Sequence, residues 1–289
     1  MPTPPIELPD AVAAALLEPG QPELDVVEAN GIPFATRSWG NRGRPPLLLI
    51  HGVTASSKVW WRLGPALAAG LERRVVAVDQ AGHGRTVVWV GHHRLADNAA
   101  DLVAFARAAG LDQPDLRVVG HSWGAATAAW FPAVGLRPEV TVLVDPPAIS
   151  AADIATMLDD PVERHYDDLD EAIRAIGGLY PTWGYGDVVA KSEALTQFDV
   201  GAVRAVLTQN GDWDGGLTAL ADPAAASAVV RLIRGEPASG GLIPDEAAAA
   251  IARRLGEANV ITIRGGGHAP MRLLAERTTL ELLRTLEPD

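Results

Sequence analysis

Gly120-His121-Ser122-Trp123-Gly124 is a G-x-S-x-G pentapeptide, preceded by the apolar run 116–119 and followed by Ala125-Ala126-Thr127-Ala128-Ala129. The spacing predicts a strand, a sharp turn and a helix, with a nucleophilic serine at the turn. Glycines two positions to either side let strand and helix approach without a Cβ clash, so the Ser122 hydroxyl is held above the sheet. The turn also sets the backbone N–H of Trp123 at a helix N-terminus, where partial positive charge suits a developing oxyanion. A serine hydroxyl is a poor nucleophile near neutral pH. A histidine must take its proton, and a carboxylate must hold that histidine in one tautomer. The bland reading of the pentapeptide is a glycine-flanked core serine, because five-residue matches also arise by chance.

Three further segments bear on that choice. Pro46-Leu47-Leu48-Leu49-Ile50-His51-Gly52-Val53 reads as an apolar strand running into a loop. Arg74-Val75-Val76-Ala77-Val78 leads into Asp79-Gln80-Ala81-Gly82-His83-Gly84-Arg85-Thr86, of the form D-x-x-G-x-G-x-T. Gly265-Gly266-Gly267-His268-Ala269-Pro270 follows the short strand 259–264. With these segments in this order, the chain resembles an α/β-hydrolase from about Asp25 to its C-terminus. The resemblance implies an α/β fold: a mostly parallel central sheet flanked by helices, with an inserted helical cap. It makes Ser122 the nucleophile and His268 the base, and it assigns the oxyanion hole to the N–H groups of Val53 and Trp123. His268 also lies at the C-terminal end of a strand, the sheet edge where ligand chemistry gathers in open α/β folds. His51 and His83 read as structural turn residues, His121 as buried under the nucleophile turn, and His92, His93 and His165 as loop or cap residues.

The acid departs from the commonest family pattern, which places Asp about three residues beyond the glycine that ends the seventh strand. Here that glycine is Gly235, and Glu236-Pro237-Ala238 puts alanine at the place. The sixth strand, in contrast, ends in Val144-Asp145-Pro146-Pro147. Some family members carry the acid there, so Asp145 is favoured, with Glu236 as the alternative; the order Ser122, Asp145, His268 suits the fold. The competing readings are a cap-anchoring strand-end residue for Asp145 and a solvated loop charge for Glu236.

Elements must position these groups. Residues 1–22 read as a Pro-rich arm with one short amphipathic piece. Segments 25–28 and 33–39 alternate around Asn30-Gly31, the strongest short hairpin signal, and supply an antiparallel edge. Strands at 47–51, 75–79, 116–120 and 140–145 then alternate with helices at 95–110 and after Ser122, which predicts a parallel sheet with right-handed crossovers. Residues 148–221 show no strand pattern, only helical segments broken by Pro161, Gly177-Gly178, Pro181, Gly184 and Gly211, and are assigned to the cap. Residues 1–147 and 222–289 form the core, with strands at 228–235 and 260–264 and a closing helix at 273–286.

The 289 residues carry a net charge of −12, which argues against nucleic acid or anionic membrane surfaces as partners. Cysteine is absent, removing disulfides, thiolate metal sites and a cysteine nucleophile. The apolar run 11–17 lacks the positive flank of a secretory signal, and no stretch approaches the ~18 apolar residues of a membrane span, so a cytoplasmic protein is expected. Lys58 and Lys191 are the only lysines among 24 basic residues, read here as compositional bias. No metal-ligand spacing appears, and neither metal nor cofactor is expected.

The expected function is a serine hydrolase acting on carboxylic esters or lactones through an acyl-enzyme. Trp183 and Trp213, in the cap, are the substrate-binding candidates. With Trp60, Trp61, Trp123, Tyr180 and Tyr185 they suggest a small apolar or aromatic substrate, against the alternative of ordinary core packing. Trp123 is expected to line the pocket and Thr54 to add a hydroxyl donor. Alternatives are a C–C bond hydrolase or peptidase of the same fold, and a ligand-binding receptor on a hydrolase scaffold. A dehalogenase or epoxide hydrolase would need Asp where this chain has Ser122. Oligomeric state is open, a homodimer included.

Overall fold

The computed structural model describes residues 7–287. Residues 1–6 of the Pro-rich arm and the last two residues of the expected core lie outside the described residues.

An eight-stranded sheet runs through the molecule. Its strands are β1 (Glu23–Ala29), β2 (Ile32–Trp39), β3 (Pro46–Ile50), β4 (Arg74–Val78), β5 (Arg117–His121), β6 (Val140–Val144), β7 (Val230–Gly235) and β8 (Val260–Ile263). Their spatial order is β1-β2-β4-β3-β5-β6-β7-β8, parallel from β4 onward and antiparallel at the β1–β2 hairpin and the β2–β4 pair. Asn30 and Gly31 turn the hairpin with φ of 54° and 75°, the paired positive values of a type I′ turn. β3, β5 and β6 are buried at every residue, as strands covered on both faces must be.

Side-chain alternation divides the core. Leu48, Ile50, Val76, Val78 and Val118 pack to one side, against α3 (Leu95–Ala108), the short α4 (Trp123–Ala128) and α10 (Asp245–Leu255). Leu47, Leu49, Val75, Ala77 and Val119 pack to the other, against α1 (Asp10–Leu17), α2 (Leu63–Leu71) and α12 (Ala275–Leu286). A one-residue slip in any central strand would exchange the two sets. The sequence reading placed no helix at α2. A Cβ on Gly64 would meet the Trp39 ring at 2.4 Å and one on Gly70 would meet Leu283 at 2.7 Å. These glycines set how closely the helix lies on its neighbours.

The connection between the adjacent strands β6 and β7 is the helical cap. It carries α5 (Ala151–Thr156), α6 (Leu169–Leu179), α7 (Tyr185–Leu195), α8 (Val200–Thr208) and α9 (Leu217–Ala221). Ile154, Ile176, Leu195, Val206 and Trp213 form a third apolar cluster over Trp123 and Ala126. Contrary to the expectation of no strand in 148–221, Ala148–Ile149 pairs antiparallel with Trp213–Asp214 and ties the connection at its neck. Two-residue strands are too short to leave an alternation pattern. The closing helix is also interrupted: Leu274 (φ −126°, ψ 55°) separates α11 (Pro270–Leu273) from α12. Among the described residues no helix is long and apolar enough to cross a membrane.

Candidate active site

Ser122 stands between β5 and α4 with φ 55° and ψ −122°, a conformation costing a non-glycine residue on the order of 1–3 kcal/mol. Its surroundings hold it there. Its N–H donates to the Val144 carbonyl of β6 at 2.9 Å. A Cβ on Gly120 would fall 2.4 Å from the Gly124 carbonyl oxygen, and one on Gly124 would fall 2.5 Å from the His51 carbonyl oxygen. Both flanking glycines are therefore required by close backbone approach.

His268 reaches Ser122 from the loop after β8. Its Nε2 lies 2.9 Å from Ser122 Oγ, and its Nδ1 lies 2.7 Å from Asp145 Oδ2. Gly235 and Gly267 allow the crossing, since a Cβ on Gly235 would fall 2.3 Å from the Gly267 carbonyl oxygen. His121 anchors the loop through a 2.7 Å hydrogen bond from Nε2 to the His268 carbonyl. Burial, reinforced by the neighbouring His268, holds His121 well below the usual histidine range, so the ring is neutral with its proton on Nε2.

Asp145 is fully buried one residue beyond β6, at φ 45°. Its carboxylate accepts N–H bonds from Gly235 and Leu242, each at 2.9 Å, besides facing His268. Three donors on one carboxylate compensate its burial. Glu236 is elsewhere: it is half-buried and accepts from the Gly265 N–H at 2.9 Å and from Ser239 Oγ at 3.2 Å. The Gly265 hydrogen bond lowers its carboxyl below the usual range. The structure thus brings together Ser122, His268 and Asp145, and leaves Glu236 bracing the loop that carries the histidine.

Val53 lies in the loop after β3, beside Ser122: a Cβ on neighbouring Gly52 would sit 3.0 Å from Ser122 Cβ. Among the described residues the N–H groups of Val53 and Trp123 find no backbone acceptor. The loop is locked from beneath. His51 Nε2 accepts from the Gln80 N–H at 3.0 Å, Gln80 Nε2 donates to the His51 carbonyl at 2.8 Å, and His83 Nε2 lies 2.6 Å from the Val53 carbonyl. Burial, with His83 adjacent, pushes His51 down to about 4, so it serves as a neutral spacer.

Two expectations need correction. The Trp123 ring is only 1% exposed, packs 5.0 Å from the His83 ring, and is not part of the pocket wall. Its α4 position turns the side chain into the seam between sheet and cap. The Thr54 hydroxyl is already engaged, accepting from Lys191 Nζ at 2.7 Å and donating to Glu163 Oε2 at 3.1 Å.

Above Ser122 and His268 lies a cavity of about 660 Å³, a size suited to a small-molecule ligand. Trp183, Trp213 and Tyr180 line it with Ile149, Ile154 and Leu207, whereas Trp60 is buried in the core below the sheet. The same wall holds charged groups that the sequence reading did not single out. Lys191 Nζ meets Glu163 Oε2 at 2.5 Å, and Tyr180 Oη donates to Glu163 Oε1 at 2.7 Å. Burial alone would raise the Glu163 carboxyl, but the Lys191 charge and three hydrogen bonds hold it at about 2. Arg272 completes the set, its guanidinium 4.7 Å over the Trp183 ring, which stacks on Tyr180 at 3.9 Å. The scarcity of lysine was the one available signal, since one of the two lysines faces the cavity.

The model of the alpha/beta hydrolase family matches residues 47–277, well over half of the chain. The protein belongs to the α/β hydrolase family. Curated relatives of this hydrolase include lipase LipV of Mycobacterium tuberculosis, 36% identical over 118 residues, 40% of this chain and 42% of the lipase. Epoxide hydrolase B of the same organism is 38% identical over 89 residues, 30% of this chain and 24% of that enzyme. The α/β hydrolase chain therefore matches less than half the length of each. Among solved structures, that of E-2-(acetamidomethylene)succinate hydrolase superposes with a TM-score of 0.76 at 22% identity, covering 91% of this chain and 98% of that one. At that identity the likeness is one of fold.

Proposed function

We propose that this α/β hydrolase is a serine hydrolase of small apolar or aromatic carboxylic esters or lactones. The observation that carries the reading is the hydrogen-bonded line Ser122 Oγ, His268 Nε2, His268 Nδ1, Asp145 Oδ2, with spacings of 2.9 and 2.7 Å, on the floor of a mostly apolar cavity. In this reading Ser122 Oγ attacks the carbonyl carbon as His268 Nε2 takes its proton, and the N–H groups of Val53 and Trp123 receive the oxyanion. Collapse of the tetrahedral intermediate expels the alcohol, which leaves with the proton from His268, and the acyl group stays on Ser122. A water activated by His268 then releases the acid and restores the serine. Asp145 keeps the proton on Nδ1 and stabilises the imidazolium formed at each step. Trp183 and Trp213 contribute apolar surface to the bound substrate. The epoxide hydrolase likeness does not carry over, because that chemistry would need a carboxylate where Ser122 stands.

The test is hydrolysis of p-nitrophenyl esters and of simple lactones by the wild type and by Ser122→Ala, with folding checked by circular dichroism. Turnover that collapses in Ser122→Ala supports the reading. A wild type inert toward both classes, or a Ser122→Ala variant of equal activity, would sink it and favour a receptor or a non-ester substrate.

A further inference from the structure

The charged groups of the cavity wall do not balance. Glu163 is matched by Lys191 at 2.5 Å. Behind the wall, Asp187 is matched by Arg62 Nη2 and by the Trp61 indole N–H, at 3.0 Å for the latter. Of the other cations lining the cavity, Arg164 pairs with Glu171 and Arg204 is exposed, whereas Arg272 is buried. Its side chain is buried, 5% exposed, and it lines the cavity, but among the described residues no carboxylate comes within ion-pair distance of it. Its one hydrogen-bond acceptor is the Asp187 carbonyl, 2.8 Å from Nη1, and its face lies on Trp183. Nε and Nη2 have no hydrogen-bond acceptor among the described residues, and the residue lines the cavity.

A guanidinium stays charged under all ordinary conditions, and Asp187 and Glu163 act on this one only from beyond pairing distance, so its burial without a directly paired carboxylate is costly. Bidentate pairing with a carboxylate satisfies both the charge and the planar donors. We infer that Arg272 is the anchor for a carboxylate on the substrate, so that the hydrolysed ester carries an anionic group on its acyl or alcohol part. This inference rests on the serine-hydrolase reading above and narrows its substrate class. Arg272 follows His268 by four residues, on α11 directly after the catalytic loop, so one short segment carries both the proton-transfer group and the anchor. The stack on Trp183 and Tyr180 fixes the plane of the guanidinium in advance, which lowers the entropy lost on binding.

Two matched pairs of esters test this: mono-p-nitrophenyl adipate against p-nitrophenyl hexanoate, and p-acetoxybenzoate against phenyl acetate. In the wild type kcat/KM should favour the anionic member of at least one pair by about tenfold to a hundredfold, the range expected of a charged hydrogen-bonded contact. Arg272→Gln should bring that ratio down to about one, and Arg272→Lys should keep part of it. A structural role alone would change both members of a pair together. A wild-type ratio at or below one in both pairs, or a ratio unchanged in Arg272→Gln, overturns the inference. If Arg272→Gln does not fold, the wild-type ratio and competitive inhibition by adipate decide in its place. If no ester is turned over at all, the serine-hydrolase reading fails, and calorimetry with adipate on Ser122→Ala and Ser122→Ala/Arg272→Gln judges the anchor by itself. Binding that needs Arg272 then supports it, and absent or equal binding overturns it.

Discussion

His268 Nδ1 meets Asp145 Oδ2 at 2.7 Å, and the same carboxylate accepts the Gly235 and Leu242 N–H groups. The carboxylate that meets the imidazole is thus held by the end of β7 and the segment after it, while belonging to the end of β6. A single group joins two strand ends to the histidine loop.

That arrangement separates two carboxylates by experiment. Asp145→Asn should lower kcat by about 10⁴-fold at neutral pH, because an amide no longer holds the imidazole in the working tautomer. Glu236→Gln should leave kcat/KM within about tenfold, since its oxygens touch only Gly265 and Ser239. Steady-state kinetics on both variants checks this, and a larger loss in Glu236→Gln than in Asp145→Asn would reverse the assignment.

Acid should destabilise the fold before carboxylates protonate. His51 is pushed to about 4 by burial, against the ~6.5 of an unfolded histidine. The unfolded chain therefore binds more protons as pH falls below about 6.5, and stability declines until pH passes the folded value near 4. The contribution of this one group is on the order of 3 kcal/mol. Thermal unfolding at pH 7, 5.5 and 4.5 should show a steadily falling midpoint, and a midpoint constant over that range would contradict the account.

Substituting Gly124→Ala should cost at least about 2 kcal/mol through overpacking, since the new methyl would meet the His51 and Ile50 carbonyl oxygens at 2.5 and 2.6 Å. Because those carbonyls precede Gly52 and Val53, activity should fall along with stability. A variant as stable as the wild type in urea unfolding would show that the turn can relax.

Removing Lys191 breaks the pair with Glu163 and takes away one of the two partners of the Thr54 hydroxyl. Lys191→Met should destabilise by about 3 kcal/mol, the low end for a buried pair, because Glu163 is one-quarter exposed. The double variant Lys191→Met/Glu163→Leu should recover part of that loss, since no unpaired charge remains. Chemical denaturation of the two single variants and the double variant measures the coupling. Strict additivity would mean the pair contributes nothing.

The amino-acid sequence by itself determined the features whose chemistry is local. The Asn30-Gly31 turn, the all-buried central strands and the glycines around Ser122 are each dictated by backbone geometry within a few residues. The ordered motifs were enough to place the chain in its fold family. Short elements escaped the local patterns: no helix was read at α2, and the ladder between residues 148–149 and 213–214 left no alternation. The chain favoured Asp145 over Glu236, but only the tertiary structure decided which carboxylate meets His268, because the two differ in where β6 and β7 end relative to the histidine loop. It alone also set Lys191 against Glu163 and left Arg272 without a directly paired carboxylate among the described residues, because pairing across 28 or 85 positions depends on how the cap folds back over the sheet and leaves no periodic trace.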